Sequence, residues 1–351
     1  MMRTEHPKAR KVLSSQARLQ PPVIFGTSSL GNLFQPLDEA TKYALVNECV
    51  RLSEKPVVFD SAGKYGAGLA LEVLGRCLRR LGVPPEQVTI SNKLGWLRTE
   101  LTTEEPSFEP GVWKNLTYDA VQKISYNGIL ECFEQGNELL GGYSPQMVSV
   151  HDPDEYLASA GDEPEAAQRY EDILQAYQAL EYLKLKGRVR AVGVGAKDWK
   201  VVRRIVNDVP LDWVMLANSI TIKTHPAELV DFAQALERKG IAVINSAVFH
   251  SGFLVGGDYF DYRLVKKGSP ESESLFHWRN RFFSLCQKHK VTPAAACVQF
   301  ALRIPGVTSV ALNPTEVRHV QENLRLPNLR IPPAFWQALK TEGLITQDYG
   351  R

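Results

Sequence analysis

The sequence has few of the features that mark disulfide-bonded, redox or metal-binding proteins. It has five cysteines in 351 residues, an odd number, and no Cys-x-x-Cys pair. We expect all of them to lie in helices as small buried residues of a reducing compartment, with no metal or redox role. They are Cys49, Cys77, Cys132, Cys286 and Cys297.

Long apolar runs and an excess of one charge are also absent. No stretch approaches the roughly 18 apolar residues of a membrane span, so we expect no membrane partner. The 41 Lys and Arg residues nearly balance the 39 Asp and Glu residues, which leaves a net charge of +2. This balance argues against nucleic acid as a partner.

The basic N-terminal residues 1–21 lack the apolar segment of a secretory signal. We expect them to form a flexible N-terminal arm, with a mitochondrial-type presequence as the alternative. For the protein itself we expect a cytoplasmic location.

The sequence does contain a regular alternation of short apolar runs and amphipathic segments. Strands are predicted over residues 23–28, 57–61, 88–93, 147–151, 189–195, 213–218, 241–247 and 309–313. The clearest helices are predicted over residues 67–81, 119–140, 164–186, 198–207 and 227–239. This α/β alternation predicts a (β/α)8 TIM barrel, as one domain over residues 22–351 with a last helix from Phe335. Segments 94–118 and 252–273 are predicted as long loops on the C-terminal face, where barrels build substrate pockets.

Four ionisable residues lie at or just after predicted strand ends: Asp60, Tyr65, Lys93 and His151. Because the strand C-termini of a barrel share one face, these side chains are expected to converge. A phenol beside an ammonium and an imidazole suits proton transfer to a carbonyl oxygen. Each residue alone also allows an ordinary role, as a helix cap, a solvated strand end, an exposed aromatic or a turn residue.

Four motifs carry a family resemblance: FGTSSLGN, FDSAGKYG, SNKLG and VHDPD. With them the chain resembles the aldo-keto reductase superfamily from Val23 to Asp348, and most of all the branch that oxidises aldoses at C1. The resemblance implies that Tyr65 exchanges a proton with the substrate oxygen and that Lys93 lowers the pKa of its phenol. It further implies that Asp60 pairs with Lys93, that His151 hydrogen-bonds the substrate oxygen, and that hydride passes to or from a nicotinamide.

The resemblance also implies a set of cofactor contacts on the same face. They are Gly26, Thr27, Asp60, Ser246, Phe249, Ser251, Gly252, Asn313, Thr315, His319, Glu322 and Asn323. The loop around Ser251 is expected to present backbone N–H groups to the pyrophosphate. Asn313, Pro314 and Glu316 are predicted as N-cap, N1 and N3 of a helix that holds the adenosine.

NAD is favoured over NADP at this predicted helix. The positions where the family places basic groups carry Asn313, Thr315 and His319, and Glu316 would repel a 2′-phosphate. Arg318 could compensate by swinging round the helix. Two further departures from the family pattern are Gly195-Ala196 in place of a Ser-Asn pair, and Ser246 in place of a stacking aromatic.

The predicted substrate contacts are Trp96, Trp113, His151 and His250, although core packing is the alternative for either tryptophan. The leading interpretation is a metal-free NAD(P)-dependent oxidoreductase, a monomer or small homo-oligomer, that oxidises a small aldose at C1 to a lactone with Tyr65 as acid/base. A carbonyl or aldehyde reductase with the same four residues is the alternative enzyme. A cofactor-binding regulatory subunit without turnover is the alternative of another class.

Overall fold

The protein folds around a closed barrel of parallel strands. The structure is a computed structural model and describes residues 21–349. The predicted N-terminal arm, apart from Pro21, lies outside the described residues, as do residues 350–351. Within residues 21–349, eight strands pair in parallel and close on themselves, which confirms the predicted (β/α)8 barrel.

The strands follow one another round the barrel in chain order. They are β1 (Val23–Gly26), β2 (Val57–Ala62), β3 (Val88–Leu94), β4 (Trp96–Glu100), β5 (Tyr118–Gln122), β6 (Met147–His151), β7 (Ala191–Ala196), β8 (Trp213–Ala217), β9 (Ala242–Ser246), β10 (Tyr259–Phe260), β11 (Arg263–Leu264) and β12 (Val307–Leu312). The barrel consists of β1, β2, β3, β6, β7, β8, β9 and β12, and β12 pairs back onto β1. Two antiparallel hairpins, β4–β5 and β10–β11, lie outside it.

The helices surround this barrel. They are α1 (Glu39–Leu52), α2 (Leu69–Arg80), α3 (Tyr126–Leu140), α4 (Pro153–Ala158), α5 (Glu163–Leu185), α6 (Trp199–Asp208), α7 (Ala227–Arg238), α8 (Pro270–His289), α9 (Pro293–Arg303), α10 (Val317–Arg325) and α11 (Pro333–Thr341). The apolar strands are buried on both faces, because helices cover the outside and side chains fill the lumen. Trp213, 1% exposed, packs in that lumen with Ile24, Val58, Met147, Met215 and Ile244.

The segment between β3 and α3 differs from its prediction. The helix predicted over 119–140 begins only at Tyr126, where the Ser125 hydroxyl accepts the N–H of Gly128. Asp119 lies in strand β5, and its carboxylate accepts the N–H of Ser107. Strands β4 and β5 therefore pair the two ends of the predicted loop, and residues 101–117 between them form an irregular connection. Similarly, β10 and β11 lie within the predicted loop 252–273.

All five cysteines are buried in helices and unbonded in the described chain. Burial raises the pKa of the Cys132 and Cys286 thiols to about 12, so these thiols are protonated. Across residues 21–349, no helix is both long and apolar enough to cross a membrane. The same residues contain no group of three or more His, Cys, Asp and Glu side chains arranged to hold a metal ion.

Candidate active site

Asp60 and Lys93 form a buried ion pair at the C-terminal end of the barrel. Both residues are 3% exposed, and Lys93 Nζ lies 2.5 Å from Asp60 Oδ2 and 3.2 Å from the Ser61 carbonyl oxygen. They lie on neighbouring strands, β2 and β3, and because Lys93 pairs with Ala62, two residues beyond Asp60, both side chains lie on the same face. Each charge would be costly to bury alone, so the pair fixes both side chains.

Tyr65 lies over this ion pair. Its ring centroid is 4.7 Å from Lys93 Nζ and 5.6 Å from the His151 ring, which meets it edge-on. A close backbone approach positions the loop, because a Cβ on Gly66 would lie 2.4 Å from the Gly31 carbonyl oxygen. Gly66 also has φ +62°, a conformation that favours glycine. The glycines of the FGTSSLGN and SAGKYG motifs therefore allow the Tyr65 loop to dock on the β1 loop.

The protonation states follow from burial and local charge. Burial, and then the Asp60 carboxylate, raise the pKa of Tyr65 well above its ordinary value. Burial, and then the Lys93 ammonium, lower the pKa of His151 well below its ordinary value. The predicted lowering of the phenol pKa is therefore wrong for this state of the protein. The Lys93 charge is balanced by Asp60 at 2.5 Å, which leaves desolvation as the larger effect.

Both predicted tryptophans lie beside the Tyr65 loop. Trp113 is 7% exposed, and its ring lies 5.8 Å from that of Tyr65. Trp96 is half-buried at the start of β4, and its ring contacts Phe108. Trp113 is therefore buried in the core, and its indole lies beside the phenol of Tyr65.

His250 does not face a substrate pocket, contrary to the prediction. It is 1% exposed, its Nε2 lies 2.8 Å from Thr221 Oγ1, and its Nδ1 lies 2.5 Å from Asp261 Oδ1. Its ring stacks on Phe260 with centroids 4.3 Å apart. Both ring nitrogens are engaged, so His250 anchors the β10–β11 hairpin.

The hairpin brings one residue to the site that the sequence did not indicate. Tyr262, at its tip, lies 5.1 Å by ring centroid from Lys197 Nζ. Its N–H donates to Ser251 Oγ at 2.9 Å. Neither the hairpin nor its orientation follows from the sequence pattern, so no local signal pointed to Tyr262.

The second residue missed is Lys64, which directly precedes Tyr65. It is 4% exposed and contacts three carboxylates, those of Glu109, Asp152 and Glu155. Its place inside the SAGKYG motif, directly before Tyr65, was a usable signal that its side chain lies near the site.

The predicted cofactor residues on β1 and after β12 are adjacent in space. Thr27 is 1% exposed, and its hydroxyl donates to the Asp60 carbonyl oxygen at 3.0 Å. The Asn313 side-chain oxygen accepts the N–H of Ser29 at 3.2 Å. A Cβ on Gly26 would lie 3.3 Å from Asn313 Cβ, so the two backbones approach closely here.

The loop after β9 uses most of its donors internally. The N–H groups of His250 and Gly252 donate to carbonyls of the same loop, those of Ala247 and Phe249. Ser251 Oγ accepts from Tyr262, and Ser246 donates to the Leu216 carbonyl oxygen at 3.3 Å. The predicted pyrophosphate cradle is therefore wrong for these two N–H groups, because the turn itself satisfies them.

Helix α10 begins later than predicted. Its N-cap is Glu316 rather than Asn313, and Glu316 Oε2 lies 2.7 Å from Arg318 Nε. Thr315 and His319 are half-buried beside it. Further along the helix lie Glu322, exposed, and Asn323, half-buried.

One orphaned polar atom on this face suits a ligand amide. Asn218 follows β8 with φ +60°, and among the described residues its buried Oδ1 has no hydrogen-bond partner. Its own N–H donates to Ser246 at the end of β9. A buried acceptor of this kind is costly unless it is satisfied, and a carboxamide NH2 would satisfy it.

The barrel and its Asp60–Lys93–Tyr65–His151 cluster define an oxidoreductase of the TIM-barrel class. A model of the "Aldo/keto reductase family" matches residues 22–341, and the chain belongs to that family. Aldo-keto reductases use nicotinamide cofactors, and the residues described above fit one. The resemblance stated from the motifs is thereby confirmed.

Two curated relatives match over nearly the whole chain. Pyridoxal 4-dehydrogenase of Microbacterium luteolum is 28% identical over 339 residues, covering 92% of this chain and 93% of that protein. D-threo-aldose 1-dehydrogenase of a Pseudomonas species is 24% identical over 331 residues, covering 93% and 94%. Among solved structures, the holo form of an aldo-keto reductase from Bacillus halodurans superposes with a TM-score of 0.65 at 17% identity, covering 92% of each chain. This last likeness supports the fold alone.

Proposed function

We propose that this protein oxidises the hemiacetal carbon of a small cyclic substrate, an aldose at C1, to a lactone with NAD. The observation that carries the proposal is the Asp60–Lys93 ion pair beneath Tyr65, with the His151 ring 5.6 Å from the phenol. The names of both curated relatives agree with it. Aldoses and pyridoxal share a chemical feature, since each closes on itself to a hemiacetal whose oxidation gives a lactone.

The side chains divide the proton transfer between them. When bound, the nicotinamide supplies the hydride acceptor. Tyr65, as phenolate, takes the proton of the hemiacetal hydroxyl, and the Lys93 ammonium, 4.7 Å from the ring centroid, stabilises the phenolate before that transfer. Neutral His151 donates a hydrogen bond to the same oxygen. Asp60 keeps the ammonium in place, and Trp113 forms an apolar wall that limits water.

The preference for NAD rests on the start of α10. Glu316 at the N-cap places a carboxylate where an anion would otherwise be favoured. Thr315 and His319 beside it provide no permanent positive charge. Arg318 is directed at the Glu316 carboxylate at 2.7 Å, so binding of a 2′-phosphate by Arg318 would have to break this ion pair.

The proposal is tested by measuring the initial rate of NADH formation near pH 9. The substrates are a panel of free sugars and pyridoxal. Tyr65→Phe should lower kcat by about a hundredfold or more, the usual size of lost acid–base catalysis, while the Kd for NAD is kept. Tyr182→Phe, on an exposed phenol of α5, is the matched control and should not change kcat.

Near-wild-type turnover by Tyr65→Phe would remove Tyr65 from the mechanism. Turnover of aldehydes with NADH, but of no hemiacetal with NAD, would favour the carbonyl reductase alternative. Cofactor binding without any turnover would favour the regulatory subunit.

A further inference from the structure

Lys64 is a buried lysine in a loop, a setting in which lysines are normally solvated. Its Nζ lies 2.7 Å from Glu109 Oε1, 3.0 Å from Asp152 Oδ2 and 3.3 Å from Glu155 Oε2. Burial opposes its charge, but the three carboxylates outweigh burial and raise the pKa of Lys64. The ammonium is therefore permanent, and it joins three separate parts of the chain.

The first connection leads to the pocket wall. Glu109 contacts Lys64 through Oε1, and its Oε2 accepts the indole N–H of Trp113 at 2.7 Å. The Trp113 ring lies 5.8 Å from that of Tyr65. One carboxylate thus ties the wall to the residue that precedes the reactive tyrosine.

The second connection leads to the imidazole. Asp152 Oδ2 lies 3.0 Å from Lys64 Nζ and 3.6 Å from His151 Nε2. Asp152 has φ +49°, which turns the chain sharply at the end of β6. The carboxylate consequently lies between the Lys64 ammonium and the neutral His151 imidazole rather than in solvent, and Asp152 is 8% exposed.

We propose that Lys64 is a positioning residue of the reaction, which aligns the Trp113 wall through Glu109 and the His151 donor through Asp152. The proposal rests on the proposed function, because the aligned groups are those that would meet the hemiacetal. Lys64 itself touches neither the wall nor the imidazole directly. Its positioning effect therefore passes through the two carboxylates, whereas its charge acts on His151 and Tyr65 through space.

Removal of the ammonium also alters the local charge. After burial, the groups that act on His151 are the cations Lys93, Lys64 and Lys197 and the carboxylates Glu155 and Asp152. Lys64 is also the cation that opposes the upward shift of the Tyr65 pKa. Without it, the pKa of both groups rises, so the whole pH profile of kcat/KM should move to higher pH.

The test separates the two connections by kinetics. Glu109→Gln should raise the KM for the hemiacetal about tenfold with little change in kcat, and Asp152→Asn should lower kcat about tenfold, each the usual size of one lost charged interaction. Lys64→Met should show both effects and the pH shift, and Lys64→Arg should restore most of the loss. Lys184→Met is the control, because it removes an ion pair between Lys184, on α5 and 41% exposed, and Asp212 just before β8.

An unchanged KM, kcat and pH profile in Lys64→Met would overturn the proposal, as would equal losses in Lys184→Met. If Lys64→Met does not fold, the proposal is still tested by whether Glu109→Gln changes KM while Asp152→Asn changes kcat. Identical changes in the two variants would refute it. If the wild type oxidises no hemiacetal, the proposed function fails separately. Alignment is then measured by hydrogen exchange over residues 107–114, which should accelerate in Glu109→Gln but not in Asp152→Asn.

Discussion

The replacement of Gly195 by alanine should disable the site without touching any reactive group. Gly195 lies in β7 opposite His151, and its backbone passes beside the Lys93 side chain. A Cβ there would lie 2.9 Å from Lys93 Cδ, well inside the ~3.5 Å of an ordinary carbon contact. Lys93 is 3% exposed and bound to Asp60 at 2.5 Å, so its side chain has no free direction in which to retreat.

The size of the effect follows from this crowding. Relief of the contact requires a shift of roughly half an ångström or more in the Lys93 chain, at a cost of about 1–3 kcal/mol for overpacking. Since a misplacement of about 1 Å can cost a hundredfold in rate, we expect kcat to fall between about ten- and a hundredfold. The midpoint of thermal unfolding should fall by only a few degrees, since about 1 kcal/mol shifts it by roughly 2–4 °C in a domain of this order of size.

Steady-state rates with the best hemiacetal, together with the Kd for NAD and a thermal melt, measure the prediction. Gly161→Ala is the control, because Gly161 is exposed and its Cβ would meet only Glu165 Oε2 at 3.3 Å. Wild-type kcat in Gly195→Ala would refute the reasoning, since it would mean that the Lys93 position does not limit the rate. A loss of kcat that merely tracked unfolding would also contradict it.

Two further predictions concern the cofactor and the C-terminal segment. Thr315→Arg with Glu316→Gln should improve kcat/KM with NADP about ten- to a hundredfold, the size of one charge-assisted phosphate contact, and leave NAD unchanged; wild-type use of NADP at least as good as NAD would contradict the preference. His225 Nε2 accepts the N–H of Thr346 at 3.1 Å, and burial lowers the pKa of His225 below its ordinary value of 6.5. This contribution to stability is therefore present above pH 6.5 and lost as the pH falls below it, so acidification from pH 7.5 to 5 should destabilise the wild type more than His225→Gln in thermal melts. Equal losses would exclude His225 as the cause.

The barrel could be predicted from the sequence because its strands are short apolar runs between amphipathic helices. The convergence of Asp60, Lys93 and His151 followed from the same pattern, since parallel strands place their ends on one face. The β4–β5 hairpin could not be predicted, because Asp119 gave the pattern of a helix start. In the structure its carboxylate instead satisfies the N–H of Ser107, a residue twelve positions away.

The protonation states of the site and the burial of charged loop residues could not be predicted from the sequence either. The pKa of Tyr65 depends on desolvation by the packed loops, and residue spacing does not show how much water those loops exclude. Lys64 was missed because a lysine in a loop is normally solvated. Only the fold shows that the carboxylates of Glu109, Asp152 and Glu155 surround it.

The direction of the Tyr65 shift predicts how pH selects between oxidation and reduction. Oxidation needs the phenolate, whereas reduction needs the phenol. Because burial holds the pKa of Tyr65 well above 10.0, the phenolate fraction grows about tenfold per pH unit from pH 6 to 9, and kcat/KM for oxidation should rise with it. His151 stays neutral over this range because its pKa is lowered, so it adds no inflection.

The rate of carbonyl reduction should remain constant over the same pH range. The ratio of the oxidation rate to the reduction rate therefore reports the phenolate fraction of Tyr65. Both directions can be followed by absorbance of NADH at constant ionic strength. A plateau of the oxidation rate already at pH 7 would show that the phenolate forms at neutral pH. The lowering of the phenol pKa by Lys93 would then outweigh desolvation, and the raised pKa of Tyr65 would not describe the reacting state.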